Sequence, residues 1–329
     1  MENLHPASVP EAGAEPSKDS GDARQTPDRA PRPPFPNWVD MLALLGLFLL
    51  ASLAGIVGAR IAGCEFPVVK GGESLYPADW GWTVFVSYAV QMTLMVLLTL
   101  LYRRIRRGTH RVARFSARGW NPVLLLWGVV LLLAVNVVIS PLLELIRFDW
   151  LPLPDPGRGL WALLSAVVAA PVMEELLCRG IVLESLRARY GVVTAWLGSS
   201  LFFGLIHLQP VMVVNATVLG LIFAYLYIRT DSLWPAILLH AFNNALALLL
   251  MWTEFPGAKF EGRPMAELSL GELIDNPRLY ALVYGAALLT ALLSAWRISR
   301  KIKALKAGER KNEGTDEINP AGDALNSGK

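Results

Sequence analysis

Apolar residues come in long blocks along most of this chain, separated by short polar segments. A membrane core of about 30 Å needs about 20 apolar residues in a helix. Eight blocks approach or exceed that length: 38–61, 82–102, 121–145, 160–186, 192–209, 211–229, 233–253 and 279–297. The fifth and sixth are short and meet at Gln209-Pro210, which reads as a tight turn. Residues 63–81, 147–159 and 254–278 carry Gly and Pro and read as loops. The expected fold class is therefore all-α: a polytopic membrane helix bundle of about eight transmembrane helices around a buried polar site.

Composition agrees with that reading. The chain has 329 residues, 54% hydrophobic and 17% charged, with a net charge of +3. That is more apolar and less charged than an ordinary soluble domain. Residues 1–36 are rich in Pro, Ala, Glu, Asp and Arg and read as a disordered tail, not a signal peptide. The two cysteines, Cys64 and Cys178, fall outside and inside a span, so no disulfide is expected between them. Cys178 reads as a small buried apolar residue.

Charge placement gives the topology. Arg103, Arg104, Arg106, Arg107, Arg111, Arg114 and Arg118 follow the second span, and Arg187 and Arg189 the fourth. Arg229 ends the sixth, and Arg297, Arg300, Lys301, Lys303 and Lys306 follow the eighth. All fall on one side of an eight-span chain. Arg60, Lys70, Arg147, Arg158, Lys259, Arg263 and Arg278 fall on the other, diluted by acids. Both termini are expected in the cytoplasm, with the protein multi-pass in a plasma membrane, prokaryotic on this reading. Beside a membrane such basic runs anchor topology, and no nucleic-acid partner is expected. Trp38, Trp80, Trp82, Trp120, Trp150, Trp161, Trp234 and Trp252 stand near span ends, as in an aromatic belt.

The candidate chemistry lies inside the spans. Glu174, Glu175 and Arg179 interrupt the fourth block. Charged groups there are expensive and line cavities or pair with each other. Glu175 and Arg179, four apart with the acid first, share a helix face and are assigned to each other as structural support. Glu174 points about 100° away and has no local cation. A carboxylate in such surroundings suits general acid–base work. His207, His240 and Asn244 are the other buried polar groups; the last two share a face, with Asn243 less well placed. At about 1.5 Å per residue, Glu174 lies roughly 18 Å from the cytoplasmic end of its span, His207 roughly 22 Å, and His240 and Asn244 roughly 10 and 17 Å. All can meet in one layer.

Peptide hydrolysis needs an activated water and donors for the developing oxyanion. Glu174 with His207 suits the first task, His240 and Asn244 the second. Two other readings stay open at this point. One is a zinc hydrolase with Glu174, His207 and His240 as ligands. The other is a non-enzymatic scaffold, immunity protein or transporter with a static polar network or proton path. The chain has no Gly-x-Ser-x-Gly, no His-Glu-x-x-His and no Asp pair of the presenilin type.

Three motifs carry a family resemblance. They are Glu174-Glu175-Leu176-Leu177-Cys178-Arg179, Phe203 to His207, and His240 to Asn244. The stretches Gly220–Tyr225 and Arg229–Ile237 add to it. Over about residues 160–253 the chain resembles the CAAX-processing and bacteriocin-processing intramembrane endopeptidases, also called the Abi or type II CAAX prenyl protease family. The resemblance implies a glutamate-dependent membrane protease without a resident cofactor, zinc being the alternative. Glu174 and His207 would activate water, and His240 and Asn244 would stabilise the oxyanion. Its partners would be the bilayer and a membrane-associated protein or peptide substrate. The expected organisation is a cytoplasmic tail (1–36), three transmembrane helices (37–159), a catalytic core (160–253), a loop and last transmembrane helix (254–298) and a second cytoplasmic tail (299–329).

Overall fold

A computed structural model describes residues 35–70, 73–108, 112, 115–116, 121–146, 155–254, 265 and 268–318. For 73–74 and 309–318 it describes the backbone only. The first 34 residues of the expected N-terminal tail, the last 11 of the C-terminal one, Arg111, Arg114, Arg118, Trp120, Arg147, Trp150, Lys259 and Arg263 lie outside the described residues.

Helices follow the apolar blocks closely. They are α1 (Trp38–Ile61), α2 (Trp80–Ile105), α3 (Pro122–Leu145), α4 (Gly159–Tyr190), α5 (Val192–Leu205), α6 (Pro210–Thr230), α7 (Trp234–Trp252), the short α8 (Leu270–Leu273) and α9 (Pro277–Ile318). Seven are long and apolar enough to cross a membrane, and α5 is a shorter apolar helix. The chain is thus a multi-span helical membrane protein. Local chemistry sets the helix starts. Asn37 and Asp40 cap α1 reciprocally, Asn121 caps α3 and Gln209 caps α6. Proline occupies the first turn of α3, α6 and α7, where its missing N–H costs nothing.

Three details differ from the sequence expectation. The fifth block, expected over 192–209, is helical only over Val192–Leu205. Its 14 residues reach about 21 Å, short of a membrane core. The cause lies in the turn that follows. Leu208 takes a left-handed backbone (φ 61°), and Gln209, extended before Pro210, spends its side chain on capping α6. The last helix does not stop near 297 but runs on to Ile318, since no proline interrupts it. The loop 63–81 contains a small antiparallel hairpin, β1 (Val68–Lys70) with β2 (Glu73–Leu75), joined Val68 to Leu75 and Lys70 to Glu73.

Close helix contacts rest on small residues. At Gly55 of α1, an added Cβ would stand 3.1 Å from Gln91 Cβ and closer still to the Ser87 carbonyl of α2. Gln91 Nε2 donates to Ser52 Oγ across the same seam at 2.7 Å. Gly204 of α5 meets α6 likewise: a Cβ there would collide with Thr217 Oγ1 and lie 2.6 Å from the Val213 carbonyl. These approaches pack α1 on α2 and α5 on α6 as tight pairs. The core runs between them, through Leu177, Ile181, Phe202, Phe203, Phe223 and Leu239.

Candidate active site

Helix α4 presents the two carboxylates, and its backbone is not regular around them. It widens to π geometry over Leu164–Ala169 and again over Leu176–Leu183, leaving Ala170–Glu175 as an ordinary turn and a half between. Such widenings often accompany functional sites. The first has a visible cause. The Ala170 N–H reaches back five residues to the Ser165 carbonyl, and Pro171 has no N–H to offer. The Ala166 carbonyl therefore lacks its usual helical donors, and Asn244 of α7 supplies one, Nδ2 to O at 2.9 Å.

Glu174 and Glu175 diverge, as their adjacent positions require. Glu175 is fully buried and accepts from Arg179 Nη1 at 3.0 Å on the same oxygen that meets His240 Nδ1 at 3.1 Å. Arg179, also fully buried, donates Nη2 to the Gly220 carbonyl at 2.8 Å. Its guanidinium lies over the Phe203 ring at 4.5 Å and the Phe223 ring at 5.6 Å. Gly220 leaves room for this approach, since a Cβ there would lie 3.2 Å from Arg179 Nη2. The expected pair is present and does more than hold charge: it orients His240, whose ring also stacks on Phe223 at 5.3 Å.

Glu174 faces a different set. Its Oε1 accepts from the Tyr88 hydroxyl of α2 at 2.7 Å. Its Oε2 is buried and has no hydrogen-bond partner among the described residues. Around that oxygen stand His240 Nε2 at 3.8 Å and His207 Nε2 at 4.0 Å. His207 Nδ1 lies 2.8 Å from the Phe203 carbonyl. A carbonyl only accepts, so Nδ1 carries a proton, and Nε2 is the ring nitrogen turned toward Glu174. His207 sits in the turn after α5 rather than within the helix. Its side chain is 20% exposed against 4% for His240, so the site opens on the His207 side.

Glu174, His207 and His240 stand together, the two Nε2 atoms at 4.0 and 3.8 Å from Glu174 Oε2. Asn244 lies one turn further along α7 than His240, on the same face. Its amide holds the Ala166 carbonyl, and one N–H remains for another acceptor. Asn243 turns away, its Oδ1 accepting from Asn136 Nδ2 of α3 at 3.2 Å. Cys178 is buried and, like Cys64, unbridged. Among the described residues no group of three or more His, Cys, Asp or Glu side chains could hold a metal ion. The spacings of 3.8 and 4.0 Å from Glu174 Oε2 exceed the roughly 3.3 Å between ligand atoms of a tetrahedral zinc. Sequence reasoning passed over Tyr88, one tyrosine within an apolar helix. Its only sequence signal is a polar hydroxyl among apolar residues inside the span.

Residues 156–246, from just before α4 to within α7, match the family described as type II CAAX prenyl endopeptidase Rce1-like. Over 91 residues the chain is 31% identical to the "Putative membrane peptidase YdiL" of Bacillus subtilis (strain 168). That alignment covers 28% of this chain and 37% of the relative's length. No solved structure matches the chain. The stretch that resembles this family contains Glu174, Glu175, Arg179, His207, His240 and Asn244.

Proposed function

We propose that this protein is an intramembrane endopeptidase that hydrolyses a peptide bond in a membrane-associated protein or peptide, with Glu174 as the general base. One observation carries the reading: a buried carboxylate oxygen, Glu174 Oε2, without a hydrogen-bond partner among the described residues and flanked by two imidazole Nε2 atoms at 3.8 and 4.0 Å. Two hydrogen bonds of about 2.8 Å that meet near a right angle on one oxygen leave their far ends about 4 Å apart. The spacing therefore suits a water shared by Glu174 and His207.

The reaction then runs as follows. Glu174 takes a proton from the water, whose oxygen adds to the peptide carbonyl carbon while His207 Nε2 holds it in line. Negative charge moves to the carbonyl oxygen. His240, with protons on both ring nitrogens and Nδ1 donating to Glu175, gives it the Nε2 hydrogen bond, and the remaining N–H of Asn244 donates as well. The C–N bond breaks as the proton held by Glu174 passes to the departing amine, leaving a carboxylic acid and an amine. The matched family's name speaks of prenylated CAAX tails, which makes a prenylated C-terminal peptide one substrate to try.

The test compares membrane proteomes of cells carrying the wild type and Glu174→Gln. New protein termini present only with the wild type identify the substrate. A farnesylated peptide and its unprenylated counterpart, given to the purified enzyme, then show whether the lipid is recognised. Identical sets of termini in the two strains, with both proteins at equal levels, would remove the endopeptidase reading.

A further inference from the structure

Tyr88 stands on α2, outside the segment 156–246 that matches the family. Its hydroxyl reaches across to Glu174 of α4, donating to Oε1 at 2.7 Å. This bond makes the two oxygens of Glu174 unlike. Oε1 is held, while Oε2 faces the two imidazole nitrogens. The terminal torsion of a glutamate is broad and roughly two-fold, so the helix alone does not fix the plane of that carboxylate. An external donor on one oxygen does.

Helix α2 is itself pinned at this height. Ser87 and Gln91, on either side of Tyr88, make the close seam with α1: the Ser87 carbonyl crowds Gly55, and Gln91 bonds Ser52. A tyrosine that only filled core volume would not need its hydroxyl directed at a carboxylate, nor a neighbouring helix clamped beside it. The α1–α2 pair thus reaches Glu174 through the Tyr88 hydroxyl.

We propose that Tyr88 is a positioning residue, its hydroxyl fixing the Glu174 carboxylate so that Oε2 is the oxygen offered to the water between the histidines. The inference rests on the endopeptidase reading above. Tyr88 does not touch the reacting atoms. It acts through Glu174, so its loss alters turnover rather than substrate binding.

Tyr88→Phe keeps the ring and removes only the hydroxyl. With the substrate identified as above, kcat should fall about 10–100-fold, the range for losing a hydrogen bond to a charged group. KM should stay at the wild-type value, and the thermal midpoint should fall only modestly, so kcat is compared at matched folded protein. A second measurement needs no substrate. Isotope-edited infrared spectra assign the Glu174 carboxylate stretch as the band lost in Glu174→Gln, and that band should shift in Tyr88→Phe. A wild-type kcat for Tyr88→Phe beside an inactive Glu174→Gln would overturn this inference alone. So would an unmoved band, or an activity loss fully accounted for by lost folded protein. Full cleavage by Glu174→Gln would overturn the endopeptidase reading and this inference with it.

Discussion

Two neighbouring glutamates at one place in α4 have different surroundings and, on the proposed reading, different duties. Glu174→Gln keeps shape and hydrogen bonding but removes the base. It should nearly abolish cleavage at normal protein levels. His207→Ala should match it, because both groups act on one water. The double variant should be little worse than either single one, as for residues working as a unit. Asn244→Ala should lower turnover by about 10²–10³-fold as a lost oxyanion donor. Because Asn244 also holds the Ala166 carbonyl, that variant should lose some thermal stability as well. Asn243→Ala, whose partner is Asn136 on the far side, serves as the control and should be milder. A cleavage assay on one confirmed substrate at matched enzyme concentrations separates these outcomes. If Asn243→Ala equals Asn244→Ala, the oxyanion assignment fails.

Glu175 and Arg179 make a different argument. Both are fully buried, and Arg179 is gripped by Glu175, the Gly220 carbonyl and two phenyl rings. Removing one partner of such a pair leaves an uncompensated charge and typically costs about 3–5 kcal/mol. Arg179→Ala should therefore accumulate poorly and lose folded protein together with activity. Normal accumulation and heat resistance in an inactive Arg179→Ala would instead give Arg179 a direct part in catalysis. The same scale bears on metal. The spacing around Glu174 Oε2 leads us to expect that activity survives exhaustive chelation and that purified protein carries substoichiometric zinc. Activity lost on chelation and restored by zinc alone would install Glu174, His207 and His240 as ligands.

At the level of elements, the α5–α6 pair fixes where His207 stands. Gly204 lies three residues before His207, against Thr217 and the Val213 carbonyl. Gly204→Ala should force α5 from α6, at about 1–3 kcal/mol for overpacking, and move His207 away from Glu174. Thr217→Ala in the same chain should restore only part of the loss. Trimming Thr217 relieves one collision, but the Val213 carbonyl, 2.6 Å from the added Cβ, is backbone and stays. Thermal melting of the two variants checks this, and full recovery in the double variant would mean that α6 shifts freely.

This element also shows what could be read from the sequence and what could not. Apart from the far end of α9, apolar length located the long helices to within a few residues, because a bilayer imposes length so strictly. Motif spacing located the ionisable groups and the Glu175–Arg179 pair, because i,i+4 neighbours must meet. The early end of α5 was hidden, since Ile206-His207-Leu208 continues an apolar pattern while the left-handed Leu208 breaks the helix. The widened turns of α4 were hidden for a similar reason: their residues are ordinary helix formers, and only Pro171 hints at them. Tyr88 required knowledge of which helix packs on α4, which no local pattern supplies.

Across the whole molecule, the basic helix ends gather on one face. Arg106 at the end of α2 bonds Asp40 at the start of α1 at 2.8 Å. Ser232, between α6 and α7, donates to the Ser116 carbonyl between α2 and α3 at 2.6 Å. Tyr227 near the end of α6 donates to Glu184 near the end of α4 at 2.7 Å. Tyr225 meets Ser299 of α9 at 2.9 Å, and Arg297 lies over Trp127 in the second turn of α3 at 5.5 Å. Seven long helices alone would place the two chain ends on opposite faces. The short α5 restores even parity, because it enters and α6 returns, so Arg187 and Arg229 share a face whether or not α5 crosses fully. By the positive-inside rule we propose that this face, with both termini, is the cytoplasmic one. The opposite face holds Cys64, which is partly exposed and is a native reporter. In intact cells a membrane-impermeant maleimide should label Cys64 from outside. In a Cys64→Ser background, Ser327→Cys should stay unlabelled until the membrane is opened. Labelling of Ser327→Cys in sealed cells would sink the topology.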